Sequence, residues 1–143
     1  MTGEGRGTVH GLLNETKVSF LHYQYPLLYD NNKFLGCEIS SLIDIALMKI
    51  TAVSGRGSKK DFVDLYFICN EIISFTELIK LFDKKFSDTG YSKYHLLKSL
   101  GYFDDADSEP DPIMLKQAEW NNVKKYFAKL QDELFVKKLI RDE

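Results

Sequence analysis

Residues 40–71 read SSLIDIALMKITAVSGRGSKKDFVDLYFICNE, and the organisation of the whole chain follows from this stretch. Leu42, Ile45, Ala46, Ile50 and Val53 recur at the period of an amphipathic helix. Ser41 followed three residues later by Asp44 has capping-box spacing and predicts the helix start. Gly55 and Gly57 flank Arg56 and predict the helix end. A second helix is expected from near Ser58, carrying Asp61, Phe62, Asp64, Leu65, Ile68 and Cys69. The stretch is thus a helical hairpin closed by a basic turn holding Arg56, Lys59 and Lys60.

Its charges are unusually placed. Lys49 sits in the middle of an otherwise apolar helix, and Asp61 and Asp64, three apart, share a face of the next one. Two readings stand. The first is an intramolecular ion-pair network that fixes the two helices, since structural networks also gather charges. The second is a polyanion site, with cations for phosphate and carboxylates that orient them or hold a metal.

The run LMKITAVSGRGSKKDFVDLY resembles the C-terminal signature of the AbiEii/AbiGii-type nucleotidyltransferases, toxin-like proteins with a minimal nucleotidyltransferase fold. Lys49, Ala52, Arg56, Lys60, Asp61, Asp64 and Tyr66 fill the places of that pattern. The similarity extends to YPLL at Tyr25–Leu28, to SLIDIALMK, and to LLKSLGYFDDAD at Leu96–Asp107 with Pro110 and Trp120 beyond it. Catalytic members of the family begin with a Gly-rich strand–turn–helix and two aspartates one residue apart, which hold the metal and the nucleoside triphosphate. This sequence contains no such motif, and no aspartate precedes Asp30. The resemblance is to the second half of the fold, as expected of a piece of a longer protein or of a half that pairs with another polypeptide.

The resemblance also implies roles. Lys49 would contact the triphosphate, and Asp61 would be an essential polar group orienting Lys49 or the acceptor. Arg56 and Lys60 would add positive charge to the nucleotide site, and Asp64 would brace Arg56 or the turn. No residue is assigned to a metal, although Mg²⁺ and an NTP are expected for the complete family fold. Implied partners are a nucleotide, an antitoxin protein and an RNA acceptor. A non-catalytic half-fold acting as an interaction or oligomerisation module is the alternative, with an exposed sheet edge as its means of self-association.

Composition sets the frame. The 143 residues suffice for one domain (1–143) with a real core, β-rich over 1–39 and helical over 40–143. A net charge of −2 argues against broad electrostatic binding of nucleic acid. Cys37 and Cys69 stand alone, without a CxxC partner, and read as buried free thiols rather than zinc ligands. No apolar run approaches membrane-spanning length, so a cytoplasmic protein is expected.

In chain order, Met1–Gly7 reads as a frayed or Gly-rich terminus that lacks the Lys-Ser/Thr of a P-loop. Strands are expected at Val9–Leu13 and Lys17–Tyr25, joined at Asn14–Thr16, with both faces covered. By the resemblance, Ser19 would occupy the place where nucleotidyltransferases of this fold often carry a third carboxylate. His10 and His22 read as ordinary strand residues. Asp30–Lys33 predicts a turn, and Phe34–Ile39 a short strand. Helices follow at Ser74–Ser87, Ser92–Leu100 and Trp120–Ile140, the last amphipathic and mildly basic. His95 reads as packing. The segment 104–111 holds five carboxylates in eight residues and reads as a solvated linker, lacking the glycine and final glutamate of a calcium loop. The fold class expected is α+β: a partial nucleotidyltransferase-like fold with a small N-terminal sheet and a helical bundle.

Overall fold

The structure, a computed structural model, describes the backbone of residues 3–5 and 7–141 and the side chains of residues 7–137. It is α+β. Strands β1 (Gly3–Gly5), β2 (Thr8–Leu13) and β3 (Thr16–Leu21) form an antiparallel sheet in the order β1-β2-β3. Strands β4 (Asn32–Phe34) and β5 (Cys37–Ile39) form a separate hairpin. Helices α1 (Leu42–Arg56), α2 (Lys59–Glu71), α3 (Phe75–Lys85), α4 (Lys93–Ser99), α5 (Asp104–Asp107) and α6 (Trp120–Arg141) make the bundle.

Serines set four of these helix starts. Ser41, Ser58, Ser74 and Ser92 are the N-caps of α1 to α4, and each side chain accepts the amide three residues on. Ser58 with Asp61 and Ser74 with Glu77 complete reciprocal capping boxes. The apolar face of each helix then turns inward. Phe62 lies at the centre, fully buried, with the rings of Phe103, Trp120 and Phe127 packed around it at 5.2 to 6.0 Å between centroids. Around this aromatic core α1 packs on α2, α3 and α4, while α6 closes over α2 and α4. Gly57, the C-cap of α1, is required by this packing: a Cβ there would stand 2.8 Å from the Phe62 ring.

Several strand expectations are corrected. Residues 3–5 pair with β2 instead of fraying, and Met1, Thr2 and Arg6 lie outside the described residues. The second strand ends at Leu21, not Tyr25. Beyond it the chain is claimed by the helices: Tyr25 packs edge-on against Phe86, 4.9 Å between centroids, and Leu28 joins the core. The span 34–39 is not one strand. Leu35 and Gly36, both at positive φ (48° and 78°), fold it back so that Phe34 faces Cys37 and the supposed turn at Asn32 and Lys33 is strand. Nor are both faces of the sheet covered: Phe20 is 72% exposed, Leu13 68%, Leu21 62% and Leu12 58%.

The cysteines are free, as expected, but Cys37 is exposed on β5 and only Cys69 is half-buried. Burial pushes the Cys69 thiol up to about 12, against the opposing hydrogen bond from Tyr126. No helix of the described residues is long and apolar enough to cross a membrane.

Candidate functional site

The hairpin of α1 and α2 brings three of the sequence-predicted charges, Lys49, Asp61 and Asp64, together at one point. Lys49 Nζ lies 2.9 Å from Asp61 Oδ1 and 2.9 Å from Asp64 Oδ2. Asp64 therefore holds Lys49, where the resemblance suggested Arg56 or the turn. The three side chains are 20%, 15% and 34% exposed, so the cluster is sheltered yet open to solvent on one side. Burial alone would disfavour the Lys49 ammonium, but the hydrogen bonds and Coulomb attraction of Asp61 and Asp64 outweigh it and raise its pKa above the usual lysine value. Asp61 shows the converse: burial works against its carboxylate, yet Lys49 and Ser58 hold its pKa below the usual range. An ammonium has three protons to donate, and two are taken here, leaving one for an incoming oxygen.

Asp61 is fixed twice over. Its Oδ1 receives Lys49, while its Oδ2 receives the Ser58 hydroxyl at 2.7 Å and the Ser58 amide at 3.4 Å. The residue that closes the capping box of α2 is thus the residue that grips Lys49. Arg56 and Lys60 are exposed at the adjoining helix ends, with no ion-pair partner among the described residues. Lys59 behaves differently from its neighbours in the basic turn. It is buried at 6% exposure, its Nζ sits 3.1 Å from Asp111 Oδ1, and it lies over the Trp120 ring at 5.3 Å.

That contact overturns the solvated-linker expectation for 104–111. Residues 104–107 form the short helix α5, and three of the five carboxylates are engaged. Asp107 receives Trp120 Nε1 at 2.7 Å and Lys124 Nζ at 3.0 Å, Glu109 receives the Lys59 amide at 2.8 Å, and Asp111 receives Lys59 Nζ. The segment is a strap across the start of α2, and Lys116 anchors its continuation to Glu71 near the end of α2 at 2.6 Å. The partners lie about fifty residues apart in sequence, so no local pattern announced them.

Other flagged residues are placed elsewhere. His10 Nδ1 and Ser19 Oγ share a 2.7 Å hydrogen bond on the exposed sheet, and His95 Nε2 meets the carbonyl oxygen of Ser54 at 2.8 Å. Among the described residues no group of three or more His, Cys, Asp or Glu side chains could hold a metal ion.

A second buried pair escaped the sequence reading. Asp44 is fully buried and accepts the amides of Leu28 (2.9 Å) and Tyr29 (3.1 Å) and the Ser41 hydroxyl (2.8 Å). It pins the 22–31 segment to the start of α1. Lys85 Nζ lies 4.0 Å from Asp44 Oδ1, over the Tyr23 ring at 4.8 Å, buried and without a hydrogen-bond acceptor. Both residues fall on apolar stripes, Asp44 with Leu47 and Lys85 with Leu78 and Phe82. A charge in such a register was the available signal.

Comparison with known proteins adds a family. The sequence profile described as "Nucleotidyl transferase AbiEii toxin, Type IV TA system" matches residues 19–139. A protein of Aquifex aeolicus (strain VF5), described as "Uncharacterized protein aq_aa25", is 38% identical over 129 residues, covering 88% of this chain. The chain spans 61% of that relative's length. No solved structure matches significantly.

Proposed function

The chain belongs to the AbiEii nucleotidyl transferase toxin family, and from that premise we propose that its α1–α2 hairpin binds the phosphates of a nucleoside triphosphate. The carrying observation is Lys49, held at 2.9 Å by each of two carboxylates with one ammonium proton uncommitted. Asp61 and Asp64 aim that proton, and a phosphate oxygen is the acceptor that a charge-assisted bond favours. Arg56 and Lys60, exposed and without an ion-pair partner among the described residues, supply the further positive charge that a polyphosphate needs. In the complete protein this hairpin would serve transfer of a nucleotide to RNA or protein, chemistry that is mostly positioning and charge stabilisation. The donor set suits phosphate better than a metal: its two carboxylates are already shared by an ammonium. Mg²⁺, if it accompanies the nucleotide, would mainly neutralise triphosphate charge, and this chain's own part is to bind and orient. An antitoxin protein belongs to the same proposal, by family.

Isothermal titration of the four NTPs with Mg²⁺ into the chain, beside Lys49→Ala, tests the reading. Saturable binding that disappears in Lys49→Ala is expected. Equal affinity in the two proteins, or no binding by the wild type, overturns it.

A second reading has its own observation. Strands β2 and β3 leave large apolar side chains exposed on both faces, and β3 has an unpaired edge among the described residues. A module that pairs with a second copy would use that edge, and its association state is the test.

A further inference from the structure

We propose that Glu109 is a positioning residue for the Lys49–Asp61 pair: its carboxylate takes the first amide of α2 and so leaves Asp61 free to hold Lys49. The first turn of a helix presents amides without intrahelical acceptors, and an anion is favoured there. In α2 the first helical amide is that of Lys59, and its acceptor is Glu109 Oε2 at 2.8 Å, from fifty residues away. The Asp61 amide is satisfied by Ser58 Oγ. Asp61 is thereby relieved of the demands of its own helix end beyond Ser58, and its Oδ1 is spared for Lys49.

The strap is built to keep Glu109 in place. Pro110 and Pro112 restrict the backbone on either side of Asp111. Asp111 grips Lys59 Nζ, and that side chain is sandwiched against Trp120, whose Nε1 is held in turn by Asp107. Strap and helix start are therefore locked at two points of one residue, the amide and the ammonium of Lys59. Without Glu109, the start of α2 loses its tertiary acceptor, and Asp61, the acidic residue of the same first turn, is the carboxylate of this helix that the freed amide can draw. Any turn of Asp61 toward it lengthens the bond to Lys49. The inference rests on the nucleotide-site reading for its functional meaning alone; its geometry stands apart from any ligand.

The test is a ¹³C NMR titration of the Lys49 side chain, assigned by comparison with Lys49→Arg, in wild type, Glu109→Gln and Glu109→Ala. The groups facing Lys49 are Asp61 and Asp64. Glu109→Gln keeps an acceptor and should titrate as wild type. Glu109→Ala should move the Lys49 titration down by about half a pH unit or more, as the Asp61 contact weakens. Should Glu109→Ala fail to fold, Glu109→Met keeps the bulk without a carboxylate acceptor. Lys59→Pro, at a position where proline suits a helix, removes the freed amide itself, with Lys59→Met as the control for the lost side chain. Glu109→Met should shift the titration as Glu109→Ala does, and adding Lys59→Pro to either should restore it, which Lys59→Met should not do. A wild-type titration in Glu109→Ala or Glu109→Met, or a shift that Lys59→Pro leaves in place, overturns the inference, whatever the melting temperatures. Since no nucleotide is present, this result is independent of the NTP titration, and either reading can fail without the other.

Discussion

At the scale of single residues, the Lys85–Asp44 pair separates two kinds of buried charge. Asp44 has three hydrogen-bond donors and lies in the first turn of α1, so its carboxylate is well satisfied. Lys85 has only a 4.0 Å approach to Asp44 and the faces of Tyr23 and Phe86. Burial lowers the Lys85 pKa, and the attraction of Asp44 only partly opposes this. Because the folded value lies below the unfolded one, the unfolded chain binds more protons between the two, and stability rises with pH across that window up to about 10.5. Lys85→Met should remove this alkaline rise and be neutral or stabilising at pH 7 by about 1 kcal/mol. Asp44→Asn should cost about 3 kcal/mol, since it strands the Lys85 charge and weakens the hold on Leu28 and Tyr29. Urea unfolding at pH 7 and 10 checks both, and a clearly destabilised Lys85→Met would show that the pair is worth more than its geometry suggests. Lys49, Asp61 and Asp64 were legible in the sequence because charges at fixed spacing broke an apolar pattern. Asp44 and Lys85 broke it too, but their pairing joins α1 to α3, which no single helix records.

At the scale of elements, serine-capped helix starts were legible, whereas α5, which has no side-chain cap, and the strand extents were not. A serine with a carboxylate three residues on defines a start by local hydrogen bonds, and α1, α2 and α3 begin where that spacing places them. Strand ends depend on what the chain meets next: residues 22–25 alternate like a strand, but Tyr25 is drawn off to Phe86, and Leu28 and Tyr29 just beyond to Asp44. The two glycines at the end of α1 look equivalent in sequence and differ in structure. Gly55 is still helical, with open space where a Cβ would be. Gly57 ends the helix against the Phe62 ring. Gly55→Ala should stabilise by about 0.5–1 kcal/mol through the lower backbone entropy of the unfolded chain. Gly57→Ala should destabilise by about 1–3 kcal/mol, because Phe62 is held by three other rings and cannot withdraw. Opposite shifts in thermal melting are expected, and shifts of the same sign would mean that the close approach at Gly57 relaxes freely.

At the scale of the molecule, the helical part and the sheet are unlike in how they bury what they carry. The helices hide Phe62, Phe75 and Phe127 almost completely, whereas the sheet leaves its large apolar residues in water. Register puts Val9 beside Phe20 on one face, with Leu13 further along the same side of β2, while Thr8 beside Leu21 and Leu12 lie on the other. Exposed apolar area of this kind is characteristic of surfaces that partners cover. With β3 open along its edge among the described residues, the simplest cover available to this chain alone is a second copy, adding strand to strand and closing one apolar face. Sedimentation velocity should then show concentration-dependent association of the wild type. Phe20→Lys with Leu13→Lys places charge on that face and should return the protein to a monomer with little change in melting temperature, because both side chains are already exposed. A wild type that stays monomeric throughout the concentration range would discard self-pairing, while the Lys49–Asp61 hairpin, which rests on α1 and α2 alone, would keep its geometry in either case.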